Sequence, residues 1–267
     1  MVRVGLVGCG TIGSRVALAL NRKYASIARI TALHDSSPAS ARRLQRRLTP
    51  RPVILPLGPL IRRSDLIIEA ASSSAAGPIV TRSLRANRDV LVMSVGGLLD
   101  DRTWRRVAAR SRGRLLIPSG ALAGLDGVRA MAVGRLRRVS LTSRKPPRAL
   151  ADAPYVRGRG LRLDRLTRPT VIFEGTPRAA VKAFPQNTNI AAALSLAAGA
   201  AVPARIRVVA DPAIRRNVLE LDVESDCGRL HCRIESRPSE NPRTSELAVR
   251  SAVAALDRFF GAVAIGT

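Results

Sequence analysis

Val2-Arg3-Val4-Gly5-Leu6-Val7-Gly8-Cys9-Gly10-Thr11-Ile12-Gly13 is the stretch on which the fold turns. Its first six residues form a short apolar run, and the glycines follow in the spacing G-x-G-x-x-G. From Ser14 to Leu20 apolar residues recur at helical spacing, and a second apolar run, Ile30-Thr31-Ala32-Leu33, leads into His34-Asp35. Strand, glycine turn, helix, strand and acid is the order that a dinucleotide-binding βαβ unit requires. Each glycine has a separate task. Gly8 permits the tight turn out of the strand, Gly10 lets a pyrophosphate approach the backbone, and Gly13 lets the helix pack closely on the sheet. Thr11 and Ile12 open that helix, whose N-terminal N–H groups and partial positive charge suit the phosphates. Asp35 lies about 20 residues further on, at the end of the second strand, where a carboxylate accepts hydrogen bonds from the ribose hydroxyls. That acid repels a 2′-phosphate and favours NAD, while Arg42 and Arg43 on the next helix keep NADP open.

Outward from this unit the chain keeps alternating between strand and helix patterns. An Arg-rich amphipathic helix runs to Leu48, Val53-Ile54-Leu55 is a short strand between prolines, and Asp65 to Ala71 is a buried strand. Ser72-Ser73-Ser74 follows at its carboxyl end, where ligands sit in open α/β sheets, so Ser72 is a cofactor candidate as well as a natural helix cap. A helix to Ala86, a strand at Asp89 to Ser94, a helix at Asp101 to Ser111 and a strand at Leu115 to Pro118 complete about six parallel strands. From Ser119 the pattern changes. Strands are expected at Arg138 to Ser143 and Thr170 to Phe173, with a polar loop or lid, Lys145 to Arg168, between them. Pro177 to Leu196 has helical spacing interrupted at Phe184-Pro185. Ile206 to Ala210, Val218 to Glu224 and Leu230 to Glu235 read as an antiparallel sheet, and Thr244 to Phe260 as a closing amphipathic helix. The fold class is therefore α/β: a Rossmann-type doubly wound parallel sheet plus a second α+β domain with a mainly antiparallel sheet.

Composition bounds the partners. The formal charge is +26, almost all of it arginine, since Lys23, Lys145 and Lys182 are the only lysines. Nucleic-acid binders concentrate charge on one face and add aromatics for stacking; here the arginines are scattered and aromatics are 3% of residues, so a nucleic-acid partner is disfavoured. The field suits anionic substrates instead. No run approaches the ~20 apolar residues that would span a bilayer, and no signal-peptide pattern opens the chain, so a cytoplasmic location is expected. Cys9, Cys227 and Cys232 are odd in number and lack metal-ligand spacing; reduced, incidental thiols and no metal site are expected.

Five stretches together resemble the L-aspartate dehydrogenase family. These are Gly8 to Gly13, Ser119-Gly120-Ala121-Leu122-Ala123-Gly124-Leu125-Asp126, Phe184-Pro185-Gln186-Asn187-Thr188-Asn189, Ala210-Asp211-Pro212 with Asn217, and Pro238 to Ser245. The resemblance covers nearly the whole chain. It implies a dinucleotide-binding domain over 1–120, completed by a C-terminal helix over 241–267, and a substrate and oligomerisation domain over 121–240. It also implies oxidation of L-aspartate to iminoaspartate with NAD or NADP, feeding NAD biosynthesis, in a homodimer. Two cofactor contacts carry over: Ala121, and either Asn187 or Asn189, with Asn189 preferred.

The departure from the family pattern falls at the proton-transfer position. Members carry a histidine two residues after the Asn that follows the Asp-Pro turn; here that residue is Leu219. A histidine trades protons near neutrality and a leucine does not. His231 is the remaining candidate on the next strand, although strand alternation gives it one face in two and a solvent role is the plainer reading. Arg144 and Lys145 are candidate clamps for a small dicarboxylic amino acid, by charge-assisted contacts, beside a plain role in loop solvation. A non-catalytic NAD(P)-binding protein of the same fold is the alternative that Leu219 raises, and a basic nucleic-acid-binding protein is a more distant one.

Overall fold

The central apolar runs of the first half, Val4 to Val7, Leu66–Glu69 and Val90 to Val92, become parallel strands because they are buried on both faces, and the helices between them carry arginine outward. The computed structural model describes residues 1–185, 189–199, 202–236, 245–263 and 265–266. The chain divides into two compact units, Met1–Pro118 with Val249–Ala264 and Ser119–Ala248 with Ile265–Thr267.

In the first unit the elements follow as β1 (Val2–Val7), α1 (Thr11–Lys23), β2 (Ala28–His34), α2 (Pro38–Gln45), β3 (Val53–Ile54), α3 (Leu57–Arg63), β4 (Leu66–Glu69), α4 (Ser73–Arg85), β5 (Asp89–Val92), α5 (Thr103–Ala108) and β6 (Leu115–Leu116). The sheet order is β3-β2-β1-β4-β5-β6, with every pair parallel. The order reverses between β1 and β4, the switch point at which doubly wound sheets bind ligands. Pro38 at the first turn of α2 and the Ser37 side chain, which accepts from the Ser40 N–H, start that helix. β4 is shorter than its apolar run suggested and stops at Glu69, whose side chain turns back to bind the loops described below.

The second unit holds α6 (Leu125–Met131), β7 (Leu136–Lys145), α7 (Pro154–Gly158), β8 (Thr170–Gly175), α8 (Pro177–Ala183), α9 (Asn189–Ala198), β9 (Arg205–Ala210), β10 (Asn217–Ser225) and β11 (Gly228–Ser236). Their order is β11-β10-β7-β9-β8; the β7–β9 pair is parallel and the rest are antiparallel. One face of the sheet buries Val139, Leu141, Leu221, Val223, Ile206 and Val208 with residues of α6, α8 and α9. The segment expected as a loop or lid is anchored instead: it contains α7, and Val156 and Leu163 are buried in that core.

The closing helix α10 (Glu246–Phe260) places Val249, Ala252 and Leu256 in the core of the first unit with α1 and β1. Tyr24 donates from its hydroxyl to Asp257 Oδ1 at 2.6 Å, and Lys23 Nζ reaches Asp257 Oδ2 at 2.6 Å, so the end of α1 is tied to this helix. Among the described residues no helix is long and apolar enough to cross a membrane.

Candidate functional site

In the glycine turn, Gly8 and Gly13 are closed in by backbone and Gly10 is open. A Cβ on Gly8, where φ is +97°, would lie 2.4 Å from the backbone of Ala70, and one on Gly13 would lie 1.9 Å from Gly8 O. Both positions exclude any side chain by backbone contact. A Cβ on Gly10, by contrast, would meet nothing within 4 Å. The packing of Gly8 and Gly13 and the open approach at Gly10 fit a pyrophosphate over the first turn of α1. Thr11 is exposed on that turn, and Ile12 packs against the core of the unit.

Asp35 belongs to this turn by direct contact. Its Oδ2 accepts from the Cys9 N–H at 2.6 Å and its Oδ1 from the Ser37 N–H at 2.7 Å. The carboxylate therefore stands between the glycine turn and the start of α2, with lone pairs left over for a ribose diol. Burial pushes the Cys9 thiol up to about 12, with the nearby Asp35 charge adding to it, so this cysteine is inert. His34 turns away from the acid, its Nδ1 lying 2.9 Å from Leu55 O.

Glu69 was not foreseen as a functional residue. It is fully buried at the end of β4; its Oε1 accepts from the Ala71 N–H at 2.8 Å and its Oε2 from the Ser94 N–H at 3.0 Å. Burial raises its pKa against the opposing pull of those backbone donors. One side chain thus fixes the loops that follow β4 and β5, both at the carboxyl end of the sheet. Ser72 is the first residue beyond that anchor. It is exposed, its Oγ lies 3.0 Å from Ser74 Oγ, and it makes no side-chain cap bond to α4. A single acid closing the otherwise apolar run Leu66-Ile67-Ile68 is the sequence signal that marks Glu69.

The second unit supplies a separate cluster. Ala121 sits half-buried in a turn in which Gly120 has φ +66°, and a Cβ on Gly120 would come within 3.6 Å of the Ile190 side chain. The Ser119 to Ala121 turn therefore packs at the start of α9, where Asn189 is the first helical residue. The two cofactor candidates are thus the chain neighbours of Gly120 and Ile190, which approach each other; Asn187 lies outside the described residues.

Arg144 and Lys145 are parted by strand alternation. Arg144 faces the open side of the sheet, with its Nε 3.0 Å from Glu220 Oε2, and Arg233 reaches Glu220 Oε1 at 2.8 Å. Lys145 faces the other side and is buried with Ser143, Leu219, Asn217 and Asp211. Leu219 pairs with Ser143 across β7 and β10. His231 is opposite Asp222 in the β10–β11 register, on the sheet face away from Leu219, and its exposed Nδ1 bonds to Asp222 Oδ1 at 2.7 Å. It is held in a surface pair and does not stand beside Leu219. Among the described residues no group of three or more His, Cys, Asp or Glu is placed to hold a metal ion.

Comparison with known proteins agrees with this geometry over the whole length. The family described as "Homoserine dehydrogenase, NAD binding domain" matches residues 8–115, and the family described as "Aspartate dehydrogenase, C-terminal" matches residues 126–259. L-aspartate dehydrogenases of Methanosarcina acetivorans and Methanosarcina barkeri are 43% and 41% identical to the chain over 272 residues, with all of each chain covered. Among solved structures, aspartate dehydrogenase from Thermotoga maritima shares the fold at a TM-score of 0.75 and 23% identity, again over both whole chains. Scyllo-inositol dehydrogenase from Lactobacillus casei, with bound NAD(H) and scyllo-inositol, has a TM-score of 0.58 at 11% identity, covering 100% of this chain and 91% of its own. With one family model over more than half of its residues and full-length relatives above two-fifths identity, the chain belongs to the L-aspartate dehydrogenase family.

Proposed function

We infer that this chain is an NAD(P)-dependent L-aspartate dehydrogenase, oxidising the Cα–N bond of L-aspartate to give iminoaspartate. The observation that carries the reading is identity of about two-fifths to curated L-aspartate dehydrogenases along the entire chain. The glycine turn, with the Asp35 carboxylate hydrogen-bonded into it, is what the first unit would need to hold the cofactor. When bound, the nicotinamide supplies the hydride acceptor, and the protein supplies position and charge.

Gly8, Gly10, Thr11, Ile12 and Gly13 take the pyrophosphate in this reading, and Asp35 takes the adenosine ribose. Ser72 and the loop anchored by Glu69 lie further along the same strand ends. Ala121 and Asn189 are assigned to the cofactor's other half. NAD is the preferred form, because a 2′-phosphate would meet the Asp35 carboxylate, which already bonds two backbone N–H groups and would have to be displaced. The working form is a homodimer, as the family resemblance implies. Leu219 leaves the family's proton-transfer position without a titratable group, so proton removal from the substrate falls to another residue.

The test is formation of NAD(P)H, followed by absorbance, with L-aspartate and a panel of other amino acids. L-aspartate is expected to give the highest kcat/KM, with NAD ahead of NADP. Turnover of a different amino acid alone would move the substrate assignment, and silence across the panel by protein that binds NAD would favour a non-catalytic cofactor-binding protein.

A further inference from the structure

At one end of the second sheet the buried face changes character. Along β7 the core-facing residues run Val139, Leu141, Ser143, Lys145, and along β10 the facing residues include Val223, Leu221 and Leu219. The apolar rows pack under α6, α8 and α9, whereas Ser143 and Lys145 continue the same face with a hydroxyl and an amine. Both are more than nine-tenths buried. Ser143 Oγ has no hydrogen-bond partner among the described residues, a costly arrangement unless a polar occupant completes it. Leu219 is the cross-strand neighbour of Ser143, and Lys145 stands two residues, about 7 Å, further along the strand.

We propose that the ε-amine of Lys145 takes the proton that the substrate α-ammonium must lose, beside the position where Leu219 offers no titratable group. This rests on the aspartate-oxidising reading above. An N–H bond of the α-ammonium breaks, its electron pair stays on the α-nitrogen, and the proton passes to Nζ, which becomes an ammonium. The lone pair so exposed becomes the second bond of the iminium as Cα gives up its hydride, which the oxidised NAD(P) consumed by the reaction would accept. Nζ then returns the proton to water.

Three features support the assignment. Burial holds the Lys145 amine down at about 8, where a neutral amine is available near physiological pH. Arginine, the residue this chain otherwise uses for nearly every cation, stays protonated and cannot serve. Open space follows it directly along the chain. A cavity of about 760 Å³ begins at Pro146 and Pro212, the residues that follow Lys145 and Asp211, and Arg148 and Arg215 on its lining suit a dicarboxylate. The charged groups on the neighbouring segments are Asp211, whose backbone N–H donates to Lys145 O at 2.9 Å, and Arg148, Asp164 and Arg215 of the cavity; Arg144 and Glu220 face the other side of the sheet, and burial is what lowers the amine.

The experiment combines NMR of protein labelled with 15Nζ-lysine and kinetics of two variants. With three lysines in the chain, the Lys145 signal is identified by its loss in Lys145→Met. It is expected to titrate near 8 and to move when L-aspartate is added without cofactor. Titration at the ordinary value of about 10.4, or indifference to L-aspartate, would overturn the proposal. In turnover, Lys145→Met and Lys145→Arg are both expected to lose about 10²- to 10⁴-fold in kcat, with the rise of kcat with pH through the Lys145 titration removed. Full activity in Lys145→Arg would overturn it, since a positive charge alone would then suffice. If wild-type protein leaves L-aspartate unoxidised, the substrate reading fails and the proposal with it; if it oxidises L-aspartate while the Lys145 signal titrates at the ordinary value, the proposal alone fails.

Discussion

Replacing Lys145 by methionine changes stability in a way that needs no turnover to detect. In the folded chain, burial holds this amine at about 8; in the unfolded chain it titrates at about 10.4. Between those values the unfolded state binds more protons than the folded one, so stability rises with pH across that window. The sign follows from a folded-state pKa that is lowered: burial of the ammonium costs most below pH 8, and the cost disappears as the unfolded amine deprotonates. At about 1.4 kcal/mol per pH unit, the whole displacement is worth about 3 kcal/mol. Lys145→Met, of similar length and without a charge, should therefore be more stable than wild type at pH 7 by about that amount, with the gap closing by pH 10 to 11. Urea unfolding of both proteins from pH 7 to pH 11 measures the difference. Subtracting the two curves removes the titrations they share, including Cys9 and Tyr24, both pushed upward chiefly by burial. Parallel curves would refute the reasoning, because they would mean that the Lys145 amine titrates alike in both states.

Glu69→Gln offers one acceptor atom where two backbone N–H groups now bond, so the variant should lose about 1–3 kcal/mol in thermal or urea unfolding, with cofactor affinity weakened as the Ala71 and Ser94 loops loosen. His231→Ala should leave kcat/KM for L-aspartate unchanged, since its imidazole is engaged with Asp222 on the face away from Leu219; a large drop would return it to the reaction. Asp35→Ser should raise the NADP-to-NAD ratio of kcat/KM by removing the carboxylate that opposes a 2′-phosphate, and an unchanged ratio would place cofactor choice elsewhere.

The parallel sheet was legible in the sequence because its signals are local. A glycine that must avoid the Ala70 backbone, or the carbonyl of Gly8 itself, leaves its mark within a dozen residues, and Asp35 falls where the second strand has to end. What the sequence concealed depends on pairing between distant strands. Arg144 and Lys145 are neighbours in the chain, yet they stand on opposite faces, one with Glu220 and the other buried. Period-two alternation implies that separation, but which face is covered depends on α6, α8 and α9 arriving from other parts of the chain. His231 is the same case: one face in two from alternation alone, decided by a register that puts it opposite Asp222. The segment from Lys145 to Arg168 looked like a lid because it is rich in proline, glycine and arginine. Its anchor residues, Val156 and Leu163, are single apolar positions that carry no periodic signal. Ser143 could not be singled out at all, since its interest lies in the hydrogen bond it lacks.

The central claim is that Gly8 to Gly13 receive a nicotinamide dinucleotide, and calorimetric titration of NAD and NADP into wild type and Gly10→Ala tests it most directly. A Cβ at Gly10 would meet nothing within 4 Å and the backbone there has φ −72°, so the variant should melt like wild type while losing the close approach of phosphate to the turn. Wild type should bind one nucleotide per chain with a Kd between about 1 μM and 1 mM, NAD more tightly than NADP, and Gly10→Ala should bind neither measurably. Uptake of neither nucleotide by folded wild-type protein, or equal uptake by the variant, would contradict the account.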